Sequence, residues 1–323
     1  MHAPIALFVY NRPWHTHQVL EALRNNELAD ESELFIFSDG PTNNDDLKSV
    51  EEVRSIIKQP HGFKKTHIIE GQYNRGLKNS LLSGINEVFN AFDKIIVLED
   101  DILTSKTFLY NINYALNRFK NEEDIIAITG YTFPHKLVLP ELFAVNFPAV
   151  WGWATWKRGW NNYNNDGEYL YNSLKEKNLL QNLDHNFSFP YSEMLLNEIS
   201  GKLDSWGIKW YASAVLHKKL TLMFSSSLVN NIGHDNSGKH SGSTNVHDVS
   251  MSDIKFNFDI PVEKNNNIVS GQIGKYLNTV LYDSYLKLSN VCDERLRLIH
   301  SLVQTSEDRL EIIKRLENII NNK

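Results

Sequence analysis

Glu99-Asp100-Asp101 is the stretch of this 323-residue chain best suited to chemistry. Three consecutive carboxylates repel one another, and a divalent cation such as Mg²⁺ or Mn²⁺ relieves that repulsion through hard oxygen ligands. The alternative for any bare acidic triplet is a solvated turn that starts a helix. Here the triplet follows Ile95-Ile96-Val97-Leu98, an apolar run of the kind found in a parallel strand buried on both faces. After it, Phe108, Leu109, Ile112, Leu116 and Phe119 fall at helical spacing, with Thr104 or Ser105 expected as N-cap. Ligands in open α/β sheets bind outside the carboxyl ends of the strands, which is where this spacing puts the acids.

The elements that must position them alternate along the first half of the chain. Strands are expected at Ile5–Val9, Leu34–Phe37, Thr66–Ile69 and Ile125–Ile128. Between them, apolar residues at helical spacing mark helices over about 15–24, 47–57 and 77–89. This alternation predicts an α/β fold, a mainly parallel sheet with helices on both faces. Polar residues recur after the strands: Tyr10-Asn11-Arg12-Pro13, then Ser38-Asp39-Gly40-Pro41, then the acidic triplet. In a parallel sheet these turns share one rim. There is no dinucleotide-type glycine fingerprint after the first strand and no Walker loop.

Composition bounds the remaining classes. A net charge of −6 argues against a nucleic-acid binder. One cysteine, Cys292, excludes an intramolecular disulfide and a thiolate metal cluster. A strand begins almost at the first residue, so no signal peptide is expected, and no apolar run has membrane-spanning length. The expectation is a cytoplasmic protein.

Past residue 145 six of the seven tryptophans gather between 151 and 210, a pattern equally suited to a cleft or an aromatic core. Polar loop composition dominates 161–190. The stretch Gly233-His234-Asp235-Asn236-Ser237-Gly238-Lys239-His240-Ser241-Gly242 reads as a loop that could serve as lid or clamp. From about Gly271, helical stripes return: Ile273 to Leu281, Leu296 to Val303, then Leu310, Ile313, Leu316 and Ile320. They must pack on the main domain, on a second copy as a homo-oligomer, or peripherally on the inner face of a membrane. The expected division is 1–248, with halves 1–130 and 131–248, followed by a mainly helical region 249–323.

Over residues 3–245 the motifs resemble those of nucleotide-sugar glycosyltransferases of GT-A fold. The group most similar is the inverting N-acetylglucosaminyltransferase I-like group, with bacterial relatives that build surface polysaccharides. The resemblance rests on Phe8-Val9-Tyr10-Asn11-Arg12-Pro13, Ser38-Asp39-Gly40, Asn74-Arg75-Gly76-Leu77, Leu98-Glu99-Asp100-Asp101 and Phe147-Pro148-Ala149-Val150-Trp151-Gly152-Trp153, in that order. It implies transfer of a hexosyl or N-acetylhexosaminyl group from a UDP-sugar to a hydroxyl of a glycan or glycolipid. By the same resemblance Asp39 would accept the N3–H of uracil, and Tyr10, Asn11 and Arg12 would contact nucleoside and diphosphate. Asn74, Arg75 and Lys78 would lie on the donor side, with Arg75 or Lys78 offsetting phosphate charge. Asp101 would bind Mn²⁺ or Mg²⁺, and Glu99 and Asp100 would hold ribose or metal-bound water. Trp151, Trp153 and Trp206 would face the acceptor, and His234 corresponds to a late metal ligand.

The family's general base, an aspartate ahead of a tryptophan, matches Asp204 in Lys202-Leu203-Asp204-Ser205-Trp206. The family carries a second acid where Ser205 stands, so Glu193 is kept as the alternative base. Two rival readings share the architecture. A sugar-1-phosphate nucleotidyltransferase normally carries a glycine-rich basic loop after the first strand, which Tyr10-Asn11-Arg12-Pro13 is not. The other is a non-catalytic nucleotide-sugar-binding protein, against which the intact acids and Asp39 speak.

Overall fold

A computed structural model describes residues 2–235, 237 and 244–321 of the chain. Asn236 and Gly238 to Gly242 of the expected lid lie outside the described residues, as do the side chains of Leu316 and Ile320. The first half runs β1 (Ile5–Val9), α1 (Pro13–Arg24), β2 (Glu33–Ser38), α2 (Asn44–Ile57), β3 (Lys65–Glu70), α3 (Gly76–Val88), β4 (Lys94–Glu99), β5 (Ile102–Thr104), α4 (Phe108–Arg118) and β6 (Ile125–Thr129). Then follow β7 (Leu142–Val145), β8 (Trp153–Trp156), α5 (Lys157–Trp160), α6 (Gly167–Glu176), α7 (Leu180–Leu183), α8 (Tyr191–Ile199) and α9 (Trp206–Leu216). The last elements are β9 (Leu220–Phe224), β10 (Val229–Asn231), β11 (Glu263–Lys264) and α10 (Asn267–Asn321).

Local chemistry explains the starts of several helices. Pro13 opens α1, where its fixed φ suits the first turn and its missing N–H is not needed. The Asn43 side chain caps α2 by accepting from the Asp45 and Asp46 N–H groups at 2.8 and 3.2 Å. Asp166 caps α6 through the Tyr169 N–H at 2.9 Å. That helix buries Leu170 and Leu174 in a stretch whose polar composition reads as loop, so the loop expectation for 161–190 is corrected. Two apolar residues one turn apart anchor a short helix without changing its overall polarity.

Among the described residues, nine strands form one sheet in the order β11-β7-β9-β6-β8-β4-β1-β2-β3. The β4-β1-β2-β3 run is wholly parallel, as are β6-β9 and β11-β7, whereas β8 is antiparallel to both β4 and β6, and β7 to β9. The fold is thus mixed α/β with a mainly parallel sheet, and it ends in one long helix where the sequence shows separate stripes. β1 is buried along its whole length, the signature of a strand covered on both faces. Register fixes the rim: Phe8 lies opposite Phe37 on one side and Glu99 on the other. Residues 10–12, 39–40 and 100–101 therefore leave the sheet along the same edge.

A second sheet pairs β5 with β10, Ile102 opposite Asn231 and Thr104 opposite Val229. The acids accordingly lie on a turn between two strands, not directly before a helix. Thr104 is a strand residue, and Thr107 occupies the N-cap position of α4. Pairing with a strand some 125 residues away (Thr104 to Val229) leaves no local trace in the sequence.

Contacts divide the chain into two compact units, residues 1–276 and 277–323. Residues 249–276, expected with the helical appendage, belong to the first: β11 pairs with β7, and Phe256 stacks on Phe224 at 4.8 Å. No helix among the described residues is long and apolar enough to cross a membrane.

Candidate functional site

At the end of β4, Arg12 donates to both members of the acidic pair: Nη2 meets Asp100 Oδ1 and, at 2.9 Å, Asp101 Oδ2. Arg12 is the last residue before α1, so the β1 turn delivers its guanidinium across to the β4 turn. Burial opposes the guanidinium charge, but Asp100 and Asp101 more than offset that, and its pKa is raised. Asp100 is buried, and loss of solvent raises its pKa against the pull of Arg12, with Asp101 adding to the rise. Desolvation and then repulsion from Asp101 and Asp100 push the Glu99 carboxyl up to about 8. At neutral pH Glu99 carries its proton, and Arg12 neutralises part of the remaining charge.

Two carboxylate oxygens thus converge on a point already taken by a cationic nitrogen. Hard donors so disposed fit Mg²⁺ or Mn²⁺. No group of three or more His, Cys, Asp or Glu side chains suited to a metal gathers among the described residues. Asp100 and Asp101 would hold a divalent ion together with oxygens from a phosphate ligand and water, the habit of Mg²⁺ in phosphate sites.

The β10 end closes over this cluster. The Ile232 N–H donates to the Asp101 carbonyl at 2.9 Å, and the Gly233 N–H to Asn231 Oδ1 at 2.7 Å. A Cβ at Gly233 would fall on Asp101 Oδ2 and lie 3.0 Å from Arg12 Nη1, so only glycine allows this approach. Asp235 reaches back to His15 of α1 at 3.1 Å. His234, expected as a metal ligand, stands between these two residues, with its ring against His247 and Trp151 at centroid distances of 4.6 and 5.4 Å.

Asp39, at the end of β2, is 7% exposed and turned toward backbone. Its carboxylate accepts from the N–H of Gly40 at 3.0 Å, of Arg75 at 3.0 Å and of Gly76 at 2.9 Å. Asn74 adds a clamp, donating to the Gly40 carbonyl at 2.9 Å and accepting from the Gly76 N–H at 3.1 Å. Gly40 is required where it stands, because a Cβ would sit 2.5 Å from the Tyr73 backbone. Asp39 therefore builds the loop that opens α3. A uracil N3–H would be a further donor to a carboxylate that already holds three.

Tyr10 and Asn11 meet Asp46 of α2: Tyr10 donates to Oδ2 at 2.7 Å and Asn11 Nδ2 to Oδ1 at 3.0 Å. Arg54 ties the ends of β2 and β3 together, donating to the Gly71 carbonyl at 2.6 Å. Neither Asp46 nor Arg54 stands out in the sequence, since each is one polar residue on the outer face of an amphipathic helix.

One turn into α3, Lys78 binds Glu198 of α8 at 2.8 Å and Asp204 at 3.1 Å, and Lys209 of α9 joins Glu198 at 2.7 Å. Burial disfavours the charge on both Lys78 and Glu198. The hydrogen bonds between them prevail, aided by Asp204 and Lys209, so Lys78 is raised and Glu198 lowered. Glu198 is the buried acid of this region and was not legible in the sequence. Asp204 is 66% exposed in its side chain and immediately precedes Ser205, which caps α9. Glu193 is exposed in the first turn of α8. The structure joins Asp204 to the Asp39-built helix start through Lys78.

The tryptophans divide. Trp153, Trp160, Trp206 and Trp210 pack together, Trp153 lying 5.5 Å from Trp206 and 5.8 Å from Trp210. Trp153, expected with Trp206 on the acceptor side, is 1% exposed, and Trp206 is likewise buried; both side chains pack in the aromatic core. Trp151, half-buried beside Tyr131, His234 and His247, remains the tryptophan on the side of the β10 turn.

No family model and no curated protein matches this sequence. Among solved structures the chain is similar to the mannosyltransferase PcManGT from Pyrobaculum calidifontis, determined in complex with GDP-Man and Mn²⁺. That likeness has 14% identity and a TM-score of 0.32, over 42% of this chain and 36% of the other. It is also similar to TarS from S. aureus, at 14% identity and a TM-score of 0.30, over 44% of this chain and 23% of that one. The chain thus spans well under half the length of either structure.

Proposed function

We propose that this chain is a metal-dependent glycosyltransferase that moves a sugar from a UDP-sugar to a hydroxyl of a glycan or glycolipid, with inversion, in surface polysaccharide synthesis. The observation that carries the reading is the single rim on which Arg12, Asp39, Asp100 and Asp101 meet at the ends of three adjacent parallel strands. Such a rim combines a cation-binding acid pair with a basic group able to turn to a diphosphate. A bound Mg²⁺ or Mn²⁺ would supply Lewis-acid stabilisation of the departing diphosphate. Arg12, released from Asp100 and Asp101 when the ion binds, would pair with phosphate oxygens. The Asp39 loop would orient the nucleoside, and the choice of uridine rests on the sequence resemblance. Asp204, exposed and ionisable, would take the proton from the acceptor hydroxyl.

The test is a panel of nucleotide sugars incubated with the protein in Mn²⁺, in Mg²⁺ and in chelator, following release of nucleoside diphosphate by slow transfer to water. Metal-dependent release from a UDP-sugar is expected. Failure of every nucleotide sugar to be hydrolysed, or to raise the melting temperature with metal, would refute the reading. Release of pyrophosphate from a nucleoside triphosphate and a sugar phosphate would replace it with nucleotidyl transfer.

A further inference from the structure

We infer that residues 277–321 associate with a second copy of the same chain through a helical seam. The segment forms a compact unit of its own, and the structure gives it as uninterrupted helix to Asn321. Leu288, Leu296, Ile299, Val303, Leu310 and Ile313 follow one another in steps of three, four, seven or eight residues. Such spacing is that of a narrow coiled-coil seam, which recurs every 3.5 residues on average. All six side chains are 50–64% exposed. A stripe of this size, left in water, marks an interaction surface.

Charge selects the occupant. Residues 277–323 hold seven acidic and seven basic side chains, interspersed along the helix and with no net charge. A helix that lies on an anionic lipid surface carries a polar face rich in lysine and arginine, which this one lacks. Two neutral helices of mixed sign approach without repulsion, and the flanking charges can pair across the seam. Some are already paired along the helix, Asp283 with Lys287 at 2.9 Å and Glu311 with Arg315 at 2.7 Å. From Leu288 to Ile313 the seam would run roughly 38 Å at 1.5 Å per residue. An interface of that length reaches the ~1,200–2,000 Å² buried in stable protein pairs. A lone helix gains most of its stability from such packing and little from propensity.

The test measures the mass of the full chain in solution over a dilution series, by sedimentation or light scattering, in the presence of reductant so that Cys292 plays no part. A mass of twice the 37.3 kDa chain, or a higher multiple, is expected at micromolar concentration. The double substitution Leu296→Glu with Ile299→Glu should weaken association at least ~100-fold while the melting of the first unit is unchanged. A monomer throughout the wild-type series overturns the inference, and so does a mass in the double variant equal to the wild type. Flotation of wild-type monomer with phosphatidylserine vesicles would assign the stripe to a lipid surface instead.

Discussion

Replacing Asp39 by alanine removes an acceptor from three backbone N–H groups at once. Gly76 retains a partner in Asn74 Oδ1, so the loss falls on Gly40 and Arg75, whose N–H groups are otherwise held by Asp39 alone. An orphaned buried donor costs about 1–3 kcal/mol, and water reaching the exposed Arg75 favours the lower end. Two such donors give a destabilisation of about 2–4 kcal/mol. One kcal/mol moves the melting temperature of a 150–250-residue domain by about 2–4 °C, and a larger unit falls at the low end of that range. The Asp39→Ala protein should therefore melt about 4–8 °C below wild type without any nucleotide present. Asp39→Asn, which keeps one acceptor oxygen, should lose about half as much. Urea and thermal unfolding followed by near-ultraviolet circular dichroism read the effect, because the Trp153–Trp206 stack reports on the core. An alanine variant that melts within 1 °C of wild type would refute the loop-building role and return Asp39 to ligand recognition alone.

Arg12→Met leaves Asp100 and Asp101 without their counter-ion, and breaking a buried pair from one side costs about 3–5 kcal/mol. Mn²⁺ should restore part of that stability and stabilise the variant more than wild type in thermal shift; equal metal responses would sink the idea that the two cations share a place. Glu99 is raised to about 8, so between its unfolded pKa and that value the native state holds a proton that the unfolded chain has lost. Stability in chelator should consequently fall as pH rises from about 5 to 8, by at most ~1.4 kcal/mol per pH unit, and Glu99→Gln should flatten the slope. Parallel urea-midpoint profiles for the two proteins would show that Glu99 does not titrate there. Asp204→Asn should lower turnover about 10²–10⁴-fold with donor affinity and melting temperature unchanged; normal turnover would move the search for the base to Glu193.

Much of the sheet half was legible because periodicity is a local signal. β1, β2 and β4 each announce themselves as short β-branched or aromatic runs, and the polar residues after them reach one rim once the strands are parallel. What each polar residue meets there was not legible. Arg12 reads as a phosphate ligand in the sequence, and only the juxtaposition of two turns 88 residues apart puts it on Asp100. Glu198 is one acid among many until Lys78 and Lys209 arrive from two other helices. Trp153 and Trp206 carry the same letter as Trp151, yet burial gives them a different task. Residue type constrains chemistry, whereas partner and exposure come from pairings between distant segments.

The place of β8 has a consequence for how the protein is made. β6 reaches β4 only through β8, and β8 is translated after both. A nascent chain that has just finished β6 has all four strands of the β4-β1-β2-β3 run but nothing to cover the outer edge of β4, whose Ile95, Ile96, Val97 and Leu98 are buried in the finished protein. At ribosomal rates of ~5–20 residues per second, the stretch from Glu99 to Trp153 takes roughly 3–11 seconds to synthesise. For that interval the strand carrying the acids is an open, strongly apolar edge, the kind on which chains pair wrongly. A fragment ending near residue 130 would keep this edge uncovered, and it is expected to aggregate more readily than the full chain. The edge of β4 is covered by β8, a strand from the part of the chain that follows.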